Sequence, residues 1–214
     1  MDDAAPVAVT RPSLAEVRQY HLRQLNEALR RPGMWGGEVT ILVLMDAMAF
    51  VDGLDKIVRE ETRALRARQA FNSLGVRGGF QDALPGYQGE QEAAASVYAE
   101  IAWRYDWLVV DRVIPDEVHE RLRTHPAEWC AHDRRLDDVL SELGPPSVLC
   151  GGYSPCWPKT LVYAAEAGPG LVSLHFSGSP DEPEPILSAL RYGDGRFPES
   201  FVFTPFGRAQ HVAG

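Results

Sequence analysis

The sequence predicts an α+β fold, with an N-terminal layer of helices packed on a C-terminal antiparallel β-sheet. Apolar residues recur at helical spacing over residues 13–130, whereas short runs rich in Val, Leu and Phe, separated by Gly and Pro, follow them. Helices that precede strands in this way are typical of α+β domains rather than of parallel α/β folds. We expect a flexible tail over 1–12, a helical region over 13–130 and an antiparallel β region over 131–214. One composite domain over 13–208 is the alternative.

Composition and charge restrict the class of protein. The 214 residues are 45% hydrophobic and 24% charged, as in ordinary soluble globular proteins. The formal net charge of −9 argues against a general nucleic-acid-binding surface, which needs a positive field, and suits a soluble protein or one that docks to a basic partner. An odd cysteine count argues against a closed disulfide framework, and the acidic start MDDAAPVAVT does not resemble a signal peptide. We expect a cytoplasmic protein without membrane association.

Helix signals dominate the first part of the chain. Ser13 followed by Glu16 is a capping box, and the helix that it opens should end at Pro32-Gly33. The segment EVTILVLMDAMAFV is apolar on almost every side, which predicts a helix buried on most sides, with a strand at 39–45 as the alternative. Further helices are predicted in DKIVREETRALRARQAF, QEAAASVYAEIAWRYDWLVV, PDEVHERLRTH and DRRLDDVLSEL. Residues 107–110 are either the end of a helix or a strand, and residues 72–90 are predicted to be a long loop.

Strand signals follow. SVLCGG, TLVYAAE, LVSLHFS and SFVFTPF are predicted strands, and the AGPG link between the second and third predicts a hairpin. In LVSLHFS, apolar residues alternate with Ser173 and His175, which is typical of a half-buried strand. Residues 186–192 fit a strand or a helix. The C-terminal GRAQHVAG is predicted to be a tail.

Four residues are candidates for catalysis: Asp46, Cys150, Cys156 and His175. Asp46 is the only ionisable residue inside the apolar helix, and a carboxylate in apolar surroundings has a raised pKa. A reactive thiol needs a base or positive neighbours, and no thiol-enzyme signature surrounds either cysteine. We therefore favour a structural interpretation over a catalytic one. For Asp46, the structural interpretation is a helix edge that reaches solvent, or an ion pair. For the cysteines, it is a Pro-rich turn.

No metal or cofactor is predicted. Zinc needs about four ligands, and the available residues stand at the unfavourable spacings C-x-H and C-x5-C. The segments expected to bind a partner contain aromatic or charged side chains. These candidates are Trp35, Tyr153, Trp157, Lys159, Asp181, Glu182 and Glu184. Within CGGYSPCWPKT, a contact surface of Tyr153, Trp157 and Lys159 is favoured over chemistry at either thiol.

The sequence contains no complete catalytic constellation and no G-x-S-x-G nucleophile elbow. We therefore expect a non-enzymatic protein-binding domain, of an immunity or inhibitor type, that acts on a basic partner. The alternative is a small enzyme or ligand-binding protein with a pocket between the helices and the sheet. A structural or regulatory module without a pocket is a third possibility. The sequence makes no prediction of oligomeric state.

Overall fold

The computed structural model describes residues 11–154, 156–178 and 183–213. Among these residues it contains nine α-helices and one five-stranded antiparallel sheet, which confirms the α+β class. The helices are α1 (Leu14–Arg30), α2 (Gly37–Val51), α3 (Ile57–Ala67), α4 (Val76–Ala83), α5 (Glu90–Arg104), α6 (Asp116–Thr124), α7 (Pro126–Trp129), α8 (Leu136–Leu143) and α9 (Pro205–Ala213). The strands are β1 (Val148–Cys150), β2 (Lys159–Tyr163), β3 (Val172–Ser177), β4 (Ile186–Arg191) and β5 (Phe201–Phe203).

The sheet is a meander in which each strand pairs with the next along the chain, in the order β1-β2-β3-β4-β5. The predicted AGPG link does join an antiparallel pair, with Thr160 opposite His175. The segment 186–192 contributes the strand β4, and residues 107–110 are neither helix nor strand. Short connections between neighbouring strands explain this simple order.

Helices cover both faces of the sheet. The layer of α1–α5 forms one core with residues such as Val148 and Val162, whereas α6–α8 form a second core on the opposite face with Leu174 and Phe176. As a result, all six residues of β3 are buried. The prediction of a half-buried strand is therefore wrong, because the helices that cover the second face come from outside the strand's own sequence.

The capping box at the start of α1 is present, since the Ser13 hydroxyl accepts from the Glu16 N–H at 3.3 Å and Glu16 accepts from the Ser13 N–H at 2.8 Å. Residues 39–45 are helical, as the main prediction had it.

None of the described helices combines the length and the apolar character that are needed to cross a membrane.

Two segments differ from the prediction. Residues 72–90 contain α4, whose first two N–H groups, on Val76 and Arg77, donate to the Glu38 carboxylate at 2.7 and 3.2 Å. A long-range cap of this kind leaves no local signal in the sequence. The C-terminal segment forms α9 rather than a tail: Phe206 donates its N–H to the Asp133 carboxylate at 2.7 Å, and this helix packs against β4.

Candidate functional site

An apolar stripe on the outer side of α2 is the clearest candidate for an interaction surface. The α2 stripe consists of Val39, Val43, Asp46 and Phe50. Its three apolar side chains are 71%, 60% and 79% exposed, and Asp46 is exposed as well. At 3.6 residues per turn these four positions fall within an arc of roughly 60° and extend over about 16 Å of helix. Scattered exposed apolar residues are ordinary, but an aligned set of this length is typical of a contact surface.

The packing of α2 explains why this side is left open. Its opposite side, with Ile41, Met45 and Met48, is buried against α1 and α5. The helix is apolar on nearly all sides, yet only one side has partners in the described structure. The prediction of a helix buried on most sides is therefore wrong along the stripe, since a uniformly apolar sequence does not show which side packs.

Asp46 carries the charge of the stripe. Its side chain reaches solvent, which is one of the two structural interpretations that the sequence allowed, and no described side chain forms an ion pair with it. Arg30, one of the arginines that could pair with Asp46 in the other interpretation, instead pairs with Asp111 at 2.7 Å. A negative charge in the middle of an apolar surface favours a partner with a complementary cation.

The N-terminal end of the stripe borders a groove of about 490 Å³ between α2 and the segment 71–77. Val39, Leu42, Phe71 and Leu74 supply apolar walls, and Leu74 is 67% exposed. The groove therefore extends the apolar surface away from the helix. The neighbouring Glu38 is occupied in capping α4 and in accepting a hydrogen bond from the Tyr98 hydroxyl at 2.6 Å.

The turn at 150–160 borders a larger cavity of about 710 Å³, formed with the start of α5. Cys156, Trp157 and Glu92 line it. Burial raises the pKa of the Glu92 carboxyl, and the nearby Glu90 acts in the same direction. The cavity contains a half-buried carboxyl group, a thiol and an aromatic ring. Of the four catalytic candidates, Cys156 alone lines it.

The candidate contact surface at this turn is only partly on the outside. Tyr153 and Trp157 are 81% and 65% exposed, whereas Lys159 is 2% exposed. Because Lys159 belongs to β2, its ammonium lies beneath the turn and donates to the Ser154 carbonyl at 2.6 Å and the Gly152 carbonyl at 3.3 Å. A partner that contacts this surface would meet the two aromatic rings first.

The catalytic candidates do not form one site. Asp46 is on the outer side of α2, whereas Cys150 and His175 are buried under the N-terminal helices. Thr160 lies between them in the sheet and meets His175 Nδ1 at 3.0 Å. Two strand spacings, about 10 Å, separate the backbone positions of Cys150 and His175.

The electrostatics of this buried row also argue against a nucleophile. Burial raises the pKa of the Cys150 thiol to about 12 and lowers the pKa of His175 well below its usual value. A thiol nucleophile needs the opposite shift, because the thiolate is the reactive form. Cys156 is the half-exposed cysteine, and it lies apart from this row at the cavity.

The remaining binding candidates have structural contacts. Trp35 is half-buried and packs against the helical core. Glu184 is half-buried and accepts a hydrogen bond from the Asp137 N–H, at the start of α8. Asp181 and Glu182 lie outside the described residues.

One buried group that sequence reasoning missed is Arg191 of β4, which is 0% exposed. Its Nη1 pairs with Glu100 of α5 at 2.6 Å, and its Nη2 donates to Ser96 and Ser173 at 3.0 and 3.3 Å. The signal in the sequence that could have revealed this buried group is a lone arginine inside an apolar strand pattern. The group joins the helical layer to the sheet, so its role is structural.

In the described part of the chain, no three His, Cys, Asp or Glu side chains are grouped closely enough to hold a metal ion. Comparisons of the chain with protein-family models, with curated proteins and with solved structures find no match.

Proposed function

We propose that this chain is a non-enzymatic protein-binding domain of the immunity or inhibitor type, and that its partner is a basic protein. The observation that carries the proposal is the α2 stripe, an aligned apolar surface with 60–79% exposure at Val43 and Phe50 and a carboxylate at its centre. The partner would present an apolar patch with an Arg or Lys side chain at the position opposite Asp46. The net charge of −9 would draw such a partner towards the surface.

A second copy of the chain is a poorer occupant of the same surface. A twofold contact between two α2 stripes would have its axis near the stripe midpoint, so Asp46 of each copy would face the other. Two desolvated carboxylates at short distance repel each other. A heterologous partner that supplies a cation avoids this cost.

Interface substitutions in the full chain test the proposal. Phe50→Asp and Val43→Asp should each weaken binding of the basic partner from the source cell by about tenfold or more, because each replaces an apolar contact side chain with a charge. The matched control is Val109→Asp, which changes a side chain 52% exposed that lies outside the stripe. Asp46→Asn should mainly slow association and reduce its salt dependence.

Size-exclusion chromatography with light scattering and titration calorimetry provide the measurements. A stoichiometric partner that binds the Phe50→Asp variant as tightly as the parent would contradict the assignment to α2. Dimers that dissociate on the same substitution, with no second protein bound, would indicate self-association instead.

The cavity beside 150–160 supports the alternative of a ligand-binding protein or small enzyme. Its support is that Cys156 and the half-buried Glu92, whose pKa is raised by burial, line the same cavity. Under this alternative, Cys156 should react with an electrophile faster than a free-thiol reference at neutral pH, and Glu92→Gln should reduce that rate. Equal rates in the parent and in the Glu92→Gln variant would remove this support.

A further inference from the structure

A separate cavity of about 360 Å³ lies on the other face of the sheet, between α8 and the β1–β2 edge. Its walls are almost wholly apolar. They include Leu136, Leu140, Leu149 and Leu161, with Tyr153 and Lys159 as polar residues. Small-molecule sites typically have this character, with volumes of about 300–1,000 Å³, apolar walls and a few placed polar groups.

Lys159 is the unusual member of this lining. Its side chain is 2% exposed, and the described residues offer its ammonium two carbonyl oxygens and no carboxylate. An ammonium has three donors, so one N–H is left without a described acceptor. Buried charges in proteins are normally paired, since an unpaired one is costly.

The register of the sheet explains how this charge comes to be there. Lys159 and Leu161 are two residues apart on β2 and therefore share a face, and Leu149 of β1 is directly opposite Leu161. The turn over 152–154 holds the ammonium from above through its carbonyl groups. A cation is thus fixed at one end of a groove whose remaining length is apolar.

We infer that this cavity binds a small carboxylate with an apolar tail, whose head pairs with Lys159 and whose tail lies along the four leucines. The carboxylate would supply at once the acceptor and the counter-charge that the described residues do not provide. The volume, at the lower end of the range for ligand sites, selects a short aliphatic or aryl chain. Burial lowers the pKa of the Lys159 ammonium, and pairing with a carboxylate would raise it again. The site is independent of α2, because it lies on the opposite face of the sheet.

The chain contains only two lysines, Lys56 and Lys159, which makes the test direct. The full chain, labelled with ¹³C and ¹⁵N in lysine only, is titrated with sodium octanoate and followed by NMR of the side-chain groups. The Lys159 signals should shift in a saturable way, whereas those of the exposed Lys56 should not. Octanol has a similar tail without the charge and should bind about tenfold more weakly or worse, because its hydroxyl can accept a hydrogen bond but cannot form the ion pair with Lys159.

Two variants test separately the contact with the head of the ligand and the contact with its tail. Lys159→Met removes the cation, and Leu149→Trp fills the groove and leaves the cation in place; each should reduce octanoate affinity by about tenfold or more. Lys56→Met is the matched control and should bind as the parent does. If Lys159→Met does not fold, the NMR titration of the labelled parent and the octanoate affinity of Leu149→Trp still test the inference.

Equal binding of octanoate and octanol would overturn the inference, as would equal shifts at both lysines or undiminished affinity of Leu149→Trp. Shifts at Lys159 with an acidic leucine-rich peptide and none with octanoate would assign the groove to a protein partner and would overturn it too.

Discussion

The three cysteines differ in their exposure to solvent. Cys150 and Cys130 are buried, whereas Cys156 is half-exposed beside the larger cavity. Burial raises the pKa of Cys150 to about 12 and that of Cys130 to about 11. The two buried thiols are therefore protonated at neutral pH and shielded from reagents.

We predict that one thiol per chain reacts with Ellman's reagent in the native state at pH 8, and that all of the cysteines react once the chain is unfolded. Cys156→Ser should abolish the native reaction, while Cys130→Ser should leave it unchanged. Release of more than one equivalent from the native parent would show that a buried thiol is accessible.

Two buried histidines make stability depend on pH. His175 and His119 are 0% and 1% exposed, and burial lowers the pKa of both in the folded chain. In the unfolded chain the histidine pKa is about 6.5. Below that pH the unfolded state binds protons that the native state does not, until the pH falls through the lowered native pKa.

The free energy of unfolding should therefore decrease as the pH falls below about 6.5, by up to about 1.4 kcal/mol per pH unit for each histidine. Urea denaturation between pH 8 and pH 5 measures this slope. His175→Gln should reduce it, and His132→Gln, at an exposed ring, should not. A slope of the same size in the His175→Gln variant would mean that His175 is not its source.

At the scale of elements, α4 depends on a residue far from it in the chain. The Glu38 carboxylate caps α4 and also accepts from Tyr98, which is 1% exposed. The short helix has no local side-chain cap of its own. Its place in the fold is thus set by α2, on which Glu38 lies.

Glu38→Ala should lower the free energy of unfolding by about 1–3 kcal/mol, because it removes the cap and leaves the Tyr98 hydroxyl unsatisfied. Amide hydrogen exchange should become faster across α4. Glu60→Ala, at an exposed glutamate of α3, is the control and should change stability by about 0.5 kcal/mol or less. Unchanged exchange in α4 would argue that its packing alone holds the helix.

At the scale of the whole molecule, a buried ion pair connects the two halves of the chain. Arg191 of β4 meets Glu100 of α5, and Arg68, at the end of α3, approaches the same carboxylate at 3.6 Å. Phe80 and Phe197 flank the Arg191 guanidinium at 5.9 and 5.8 Å. The helical layer and the sheet are thus joined by a buried ion pair as well as by apolar packing.

Glu100→Gln should destabilise the protein by about 3–5 kcal/mol, because Arg191 then remains buried without its main counter-charge. The double variant Glu100→Met with Arg191→Met should recover much of this loss, since a buried pair can be replaced by apolar residues of similar volume. The control is Glu199→Gln, which breaks an exposed pair with Arg196 and should cost less than about 1 kcal/mol. Urea midpoints that are equal for Glu100→Gln and Glu199→Gln would contradict a structural role for the buried pair.

The sequence by itself determined the type and order of most elements. The capping box at Ser13, the helical spacing before residue 130 and the turn residues around the strands are local signals, and local backbone preference decides what they form. These signals were sufficient for the α+β class and for the hairpin of β2 and β3.

Only the tertiary structure decided which surfaces exist. The exposed side of α2, the burial of both sheet faces and the burial of the Lys159 ammonium all depend on which segments pack together. Likewise, Glu38 caps α4 from 38 residues away. Packing brings together residues that are distant in the chain, and no local pattern records their proximity, so the candidate sites emerge only from the folded molecule.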